Sequence, residues 1–147
     1  MQPRPRSHAL RIGRHSLEGQ IYLVTATTAC REPCFLDFAL ARRLVLALRH
    51  EEAIGRARTL TFVVMPDHLH WLLVLTSVAP LGRVVGSVKS VVAHAAGRPI
   101  WQSGFHDHAL RAEEDVADIA RYIVRNPLRA GIVVRTGLYP HWDSIWV

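Results

Sequence analysis

Three shortages in the sequence exclude whole classes of protein. Cysteine occurs only at Cys30 and Cys34, which is too few for a disulfide scaffold and leaves no second pair for a structural zinc site. No run of about 18 apolar residues is present, so no transmembrane helix is predicted. Residues 1–19 are basic but lack the apolar segment of an export signal. These shortages predict reduced thiols, a cytoplasmic location and no membrane partner.

Positive charge is in excess, and nearly all of it is arginine. The chain has 18 Lys plus Arg against 12 Asp plus Glu, a formal net charge of +6 and a sequence pI near 10.3. Lys89 is the single lysine. A guanidinium group binds phosphate through two N–H groups and stacks on bases, which an ammonium group cannot do. The composition therefore favours nucleic acid as a partner over a membrane surface, although genomic base composition would explain the arginine content equally well.

Length and composition favour one domain after a short basic arm. Half of the 147 residues are hydrophobic, which suffices for a single packed core at this size. Residues 1–18 are polar and basic and contain Pro3 and Pro5, so they are predicted to form an arm. Residues 19–147 are predicted to form the domain.

Hydrophobic periodicity predicts the order of strands and helices. Strands are expected at Ile21–Thr27, Thr59–Met65, Leu69–Leu75 and, less regularly, Ile100–Leu110, with the second and third joined by a tight hairpin. Helices are expected at Leu36–Ile54, with an apolar stripe of Leu36, Leu40, Leu44 and Leu48, at Leu81–Ala96, and from the acidic Glu113-Glu114-Asp115 to Asn126. The order βαββαβ followed by a helix is that of an α+β, ferredoxin-like antiparallel sheet with packed helices.

Two pairs of histidines have the spacing of residues on one face of a strand. His68 and His70 begin a predicted strand, so both imidazoles project to the same side and could share one metal ion. Satisfied or exposed histidines without a metal are the simpler interpretation. His106 and His108 repeat the spacing around Asp107 and could bind the metal instead, although a carboxylate between two histidines more often reflects hydrogen bonding.

Tyr122 and Asn126 lie one helical turn apart on the last predicted helix. They share a face beside the buried stripe, so the phenol could reach a cleft. The simpler interpretations are a packed tyrosine with a satisfied hydroxyl and an Asn126 that caps the turn begun by Pro127 and closed by Gly131.

Taken together, three motifs resemble those of the REP-associated tyrosine transposases. This family belongs to the single-tyrosine transposases that carry a His-hydrophobe-His (HUH) metal motif and move insertion sequences as single strands. The similarity runs from about Gly13 to Trp146, and Asp67 stands where many relatives have Asn. The motifs are Val63-Val64-Met65-Pro66-Asp67-His68-Leu69-His70-Trp71-Leu72-Leu73, Trp101-Gln102-Ser103-Gly104-Phe105-His106-Asp107-His108 and Tyr122-Ile123-Val124-Arg125-Asn126-Pro127-Leu128-Arg129-Ala130-Gly131.

The resemblance implies a ferredoxin-like domain and a divalent ion held by His68, His70 and Asn126. It implies Mg²⁺ or Mn²⁺, whereas two imidazoles and a carboxamide by themselves suit Zn²⁺ or Mn²⁺. Tyr122 would be the nucleophile of a single-stranded DNA endonuclease and strand transferase that forms a 5′-phosphotyrosine intermediate. The implied substrate is a palindromic hairpin with a single-stranded flank, and the implied location is the nucleoid.

Other residues are expected to contact the DNA. The candidates for phosphate binding are the arm residues and one residue of the second helix, and a merely solvated tail is the alternative. His106 and His108 are possible active-site contacts. The phosphate-binding candidates are Arg4, Arg6, Arg11, Arg14 and Lys89.

Other functions remain open on the sequence alone. One is a non-catalytic domain that binds DNA or RNA hairpins, although the aromatic signature of RNA-recognition sheets is absent. Another is a zinc hydrolase that uses His68, His70 and either His106 or His108. A third is a domesticated relative that cleaves DNA but no longer moves it. A homodimer with shared active sites is as compatible with the sequence as a monomer.

Overall fold

The computed structural model describes residues 19–111 and 114–146. The predicted arm, with Arg4, Arg6, Arg11 and Arg14, lies outside the described residues, and so does Glu113 of the predicted acidic helix start. In the described ranges, no helix has both the length and the apolar character needed to cross a membrane.

A five-stranded antiparallel sheet forms the centre of the fold. Its spatial order is β4-β1-β3-β2-β5, and every neighbouring pair is antiparallel. The predicted α+β ferredoxin-like class is therefore confirmed, with one additional strand at the β2 edge. The strands are β1 Ile21–Thr27, β2 Ala57–Met65, β3 His68–Leu75, β4 His106–Ala109 and β5 Trp142–Ser144.

The observed sheet differs from the predicted one in two respects. The strand expected over Ile100–Leu110 is confined to β4, and Trp101 makes only an isolated bridge with Thr28. β5 was not predicted, because it has three residues and pairs through Thr61, Phe62 and Val63 of β2. So short a strand shows no periodicity of its own.

In the described ranges, four helices accompany the sheet, and three short 3₁₀ turns connect the elements. The second helix has the predicted bounds and ends at Gly97, which adopts a left-handed φ of 74° as a helix C-terminus favours. The helices are α1 Phe38–Ala53, α2 Leu81–Ala96, α3 Val116–Val124 and α4 Asn126–Arg129, and the 3₁₀ turns are Ala29–Arg31, Cys34–Leu36 and Thr136–Leu138.

Capping residues account for the helix starts that the apolar pattern placed differently. The Asp37 carboxylate accepts a hydrogen bond from Leu40 N–H at 3.2 Å, so α1 begins after Asp37. Leu36 consequently lies in the preceding 3₁₀ turn and is exposed, and is not part of the helical stripe. Asp115 caps α3 in the same way through Asp118 N–H.

The last predicted helix ends ahead of Pro127, as expected, and a separate short helix follows it. α3 ends at Val124, and α4 starts at Asn126 with Pro127 in its first turn. Proline has no N–H group to continue the hydrogen bonds of the preceding helix.

The two faces of the sheet carry different partners. Alternate residues of β1, including Tyr22 and Val24, join the core formed with α1 and α2. The other face joins a second core that includes Leu72 and Ile123, the latter from α3. Because strand residues alternate between faces, Thr25, His68 and His70 belong to the face covered by α3, and Trp71 belongs to the face covered by α1 and α2.

Candidate functional site

His68 and His70 lie side by side at the start of β3. Their ring centroids are 4.7 Å apart and the rings are nearly perpendicular, at 78°. On β1, Thr27 is opposite His68 and Thr25 is opposite His70. The structure thus places both imidazoles on one face, as the spacing predicts.

The surroundings of His70 keep its ring neutral. Burial lowers the pKa of His70 to about 4, and the positive charges of His68 and Arg129 act in the same direction. His70 Nδ1 lies 2.9 Å from Thr25 Oγ1. At neutral pH, Nδ1 is therefore hydrogen-bonded within the protein. The other ring nitrogen, Nε2, has a lone pair that can coordinate a metal ion when the proton is on Nδ1.

His68 is oriented by a carboxylate. Its Nδ1 lies 2.7 Å from Asp67 Oδ1, while Arg31 Nε donates to Asp67 Oδ2 at 2.8 Å. Partial burial raises the pKa of Asp67, but the hydrogen bonds to His68 and Arg31 outweigh this and hold it below its usual value. Asp67 is therefore ionised at neutral pH and can accept a hydrogen bond from the Nδ1–H group of His68.

The turn that carries Asp67 is held by the loop between β1 and α1. Thr28 N–H donates to the Asp67 carbonyl at 3.0 Å, and Phe35 N–H donates to the Pro66 carbonyl at 3.0 Å. Arg31, which reaches Asp67, lies in this loop. Its backbone has a left-handed φ of 54°, a conformation that residues other than glycine rarely adopt. Sequence reasoning found neither Arg31 nor Thr25, because both contact the histidine motif from a distant segment.

The donor set fits a divalent metal. Both imidazoles use Nδ1 for a bond within the protein, which is the arrangement that orients metal-binding histidines through their other nitrogen. Within the part of the chain that the structure describes, no group of three His, Cys, Asp or Glu side chains could hold an ion. The three-histidine site of a zinc hydrolase is therefore not formed there, and a third protein ligand would have to be of another type.

Asn126, the third ligand that the resemblance implies, carries a carboxamide of that type. It is the first residue of α4, and its Nδ2 donates to the Ile123 carbonyl at 3.2 Å. The amide nitrogen thus ties α4 to the end of α3. The remaining polar atom of the side chain is the oxygen, the atom by which a carboxamide coordinates a metal.

Tyr122 differs in exposure from the other two tyrosines, all three of which lie in the described ranges. Tyr122 is 62% exposed, whereas Tyr22 and Tyr139 are 7% and 8% exposed. The Tyr139 hydroxyl donates to the Val64 carbonyl, and burial raises the pKa of Tyr139 to about 12. Tyr122 is therefore the tyrosine whose hydroxyl a large substrate can approach.

Arg129 contacts the Tyr122 ring and has an electrostatic effect on His70. Its guanidinium carbon lies 3.8 Å from the centroid of the Tyr122 ring, within the range of a cation–π contact. The charge of Arg129 also contributes to the lowered pKa of His70. Sequence reasoning missed Arg129, because it lies beyond the end of the predicted helix, on α4.

Other predicted DNA contacts lie elsewhere or have protein partners. Lys89 lies on α2, over the opposite face of the sheet, where its Nζ donates to the carbonyls of Gln102 at 2.9 Å and Gly104 at 2.6 Å. His106 is exposed on β4 and pairs with Thr25, on the same face as His70. His108 Nε2 lies 2.9 Å from Glu114 Oε1, so this histidine links β4 to the segment before α3 by a hydrogen bond.

Comparison with known proteins finds similarity to transposases. No sequence profile of a known family matches the chain. Over 135 residues the chain is 25% identical to the REP-associated tyrosine transposase of Escherichia coli K12, covering 86% of this chain and 78% of that protein. The structure of a REP-associated tyrosine transposase bound to a REP hairpin matches with a TM-score of 0.76 and 24% identity, over 88% of this chain and 79% of that one.

A second solved structure is similar in fold. It is that of a Deinococcus radiodurans R1 protein assigned as a transposase, with a TM-score of 0.55 and 24% identity over 76% of this chain and 93% of that one. The resemblance to REP-associated tyrosine transposases that three motifs predict is confirmed by these comparisons. At this identity the solved structures establish the common fold.

Proposed function

We propose that the chain is a DNA-processing enzyme of the transposase type that cleaves and rejoins single-stranded DNA, with Tyr122 as nucleophile beside a divalent ion. One observation carries the proposal. Arg129 stacks on the exposed Tyr122 ring and lies near enough to His70 to lower its pKa. Arg129 therefore acts on both the candidate nucleophile and one of the candidate metal ligands.

His68 and His70 are proposed as metal ligands through Nε2, with Asn126 as a third ligand through its amide oxygen. The similarity to the transposase family favours Mg²⁺ or Mn²⁺. When bound, such an ion supplies Lewis acidity that stabilises charge on the non-bridging oxygens of a phosphodiester. Asp67 and Thr25 would keep the two rings oriented by accepting hydrogen bonds from their Nδ1–H groups.

The reaction proposed for Tyr122 conserves a phosphodiester bond. The phenolic oxygen loses its proton and attacks the scissile phosphorus, so that a bond from the Tyr122 oxygen to phosphorus forms and the bond from phosphorus to the 3′ oxygen breaks. The products are a 5′-phosphotyrosine and a free 3′-OH. Because the new bond is also a phosphodiester, a second 3′-OH can reverse the step and join strands without an energy source.

The proposed substrate is a palindromic hairpin with an unpaired flank. The supporting observation is that a REP-associated relative of the same fold has been solved with a REP hairpin bound. A single tyrosine gives a single cut, which suits a single-stranded target. Association with the nucleoid would follow from such a substrate.

The test is to incubate the protein with repeat hairpins carrying single-stranded flanks, in Mg²⁺ or Mn²⁺, followed by a denaturing gel. A hairpin labelled at its 3′ end should migrate with the protein, because the downstream fragment stays attached to tyrosine. The same hairpin labelled at its 5′ end should instead give a free, shorter strand. Binding without either product would favour a non-catalytic hairpin-binding domain, and two free fragments would favour water as the nucleophile.

The metal proposal has its own test. His68→Ala and His70→Ala should each abolish cleavage, because one imidazole leaves too few ligands to hold a hard ion at ordinary concentration. His94→Ala is the matched control, since His94 is exposed on α2 over the opposite face of the sheet. Full cleavage in excess chelator, or in the double variant His68→Ala/His70→Ala, would overturn the metal assignment.

A further inference from the structure

We infer that Arg129 is a positioning residue that holds the Tyr122 ring in place for attack, an inference that rests on the proposed function. The guanidinium carbon lies 3.8 Å above the ring centroid. An exposed tyrosine on a helix samples several side-chain rotamers. A planar cation packed against one ring face restricts that sampling and fixes where the hydroxyl points.

The backbone of Arg129 is itself fixed relative to α3. Its N–H donates to the Arg125 carbonyl at 2.9 Å, and the Asn126 side chain donates to the Ile123 carbonyl at 3.2 Å. Pro127, in the first turn of α4, is buried. These contacts hold α4, which carries Arg129, against the end of α3.

The charge of Arg129 is not neutralised by a carboxylate. Two neighbouring arginines of the same region have acidic partners, since Arg121 pairs with Asp118 and Arg111 with Glu114. Within residues 19–111 and 114–146, Arg129 makes no such salt bridge. Its positive charge, beside the Tyr122 ring, therefore remains available to a phosphate group.

These contacts define what Arg129 contributes. In-line attack needs the nucleophilic oxygen within about 3–3.5 Å of phosphorus, and a misplacement of about 1 Å can lower the rate by about a hundredfold. Arg129 fixes the ring, and the ring fixes the oxygen. Lysine would keep the charge but not the flat stacking surface, so Arg129→Lys and Arg129→Gln separate charge from positioning.

The ring can be observed without any reaction. Protein labelled with 3-fluorotyrosine has three ¹⁹F signals, and Tyr122→Phe assigns one of them to Tyr122. Arg129→Gln and Arg129→Lys should shift the Tyr122 signal, while the signals of Tyr22 and Tyr139 remain in place and report that the fold is intact. Arg125→Gln is the matched control, because it removes the same charge from an exposed arginine one turn from Tyr122 and should leave all three signals unchanged.

The functional measurement uses the same variants with a repeat hairpin carrying a single-stranded flank. At saturating hairpin, the rate of adduct formation should fall by about 10- to 100-fold in Arg129→Gln and in Arg129→Lys. The Kd for the hairpin should change less than about threefold in Arg129→Lys, which retains the charge. Arg125→Gln should keep the wild-type rate at saturation.

The possible failures are distinguishable. An unchanged Tyr122 signal in Arg129→Gln would overturn the positioning role whatever the enzyme does. A normal rate at saturation with weakened hairpin binding would overturn it in favour of simple phosphate binding. A wild-type protein that forms no adduct would overturn the proposed function, while the ¹⁹F signals would still show whether Arg129 holds the ring.

Discussion

Thr25 Oγ1 lies 2.9 Å from His70 Nδ1, across the pairing of β1 with β3. The threonine hydroxyl can accept the Nδ1 proton and so leave Nε2 as the unprotonated nitrogen. This contact gives the histidine motif a partner outside its own sequence. It connects β1, which carries no metal-binding side chain of its own, to the proposed chemistry.

Thr25→Val should therefore weaken metal binding without unfolding the protein. Valine has a similar shape but cannot accept the proton, so the ring loses its preferred orientation. Loss of such an outer partner lowers metal affinity by about 10- to 100-fold, and loss of the hydrogen bond should lower the free energy of unfolding by about 1 kcal/mol. Mn²⁺ titration followed by electron paramagnetic resonance measures the affinity in DNA-free protein. Thr27→Val, opposite His68 on the same strand, should bind as wild type, and equal affinity in all three proteins would contradict the role of Thr25.

The lowered pKa of His70 predicts how stability depends on pH in metal-free protein. The folded-state pKa is about 4, whereas a free histidine titrates near 6.5. Between these values the unfolded chain binds a proton that the folded chain does not. The stabilisation is complete above about pH 6.5 and is lost as the pH falls toward 4, by at most about 3 kcal/mol.

Urea unfolding in excess chelator, from pH 7 down to pH 4.5, measures this dependence. His70→Gln should flatten the decrease in the free energy of unfolding, because its side chain does not titrate. His94→Gln, at an exposed position of α2, should leave the decrease unchanged. Parallel curves for the wild type and His70→Gln would contradict the assignment to His70.

Local patterns predicted the elements that have local boundaries. β1 and α2 were placed at their observed ends, since Gly97 and the turn before α2 mark the limits of the helix within a few residues. The shared face of His68 and His70 followed from the period of a strand. In both cases the information lies inside one segment of the chain.

Contacts between distant segments were not predictable in this way. Thr25 and His70 are 45 positions apart, and only the register of β1 on β3 brings them together. The stacking of Arg129 on Tyr122 joins residues of two successive helices, and the apolar pattern carries no signal for it. The candidate ligands and nucleophile could therefore be predicted from the sequence. Thr25 and Arg129, which contact them, could be identified only from the structure.

A hairpin with an unpaired flank should be cleaved in preference to a plain duplex. A single nucleophile makes one cut, and recognition of the expected type requires bases that are not paired. Affinity should fall by at least about tenfold between about 50 and 200 mM salt, as expected for three or more phosphate contacts. Cleavage rates on a hairpin and on a fully paired linear duplex of the same sequence test the preference, and equal rates would contradict it.

Tyr122→Phe should abolish cleavage and adduct formation while leaving the fold and hairpin binding intact. The substitution removes one oxygen and keeps the ring that Arg129 contacts, and at 62% exposure the hydroxyl contributes little to packing. Tyr22→Phe and Tyr139→Phe should still cleave, because both side chains are buried. Tyr139→Phe should nevertheless lower the free energy of unfolding by about 1–2 kcal/mol, since it leaves the Val64 carbonyl without the Tyr139 hydroxyl. The denaturing-gel assay and a thermal melt on all three variants separate these effects. A folded Tyr122→Phe protein that still cuts the hairpin would show that water, and not Tyr122, attacks the phosphate.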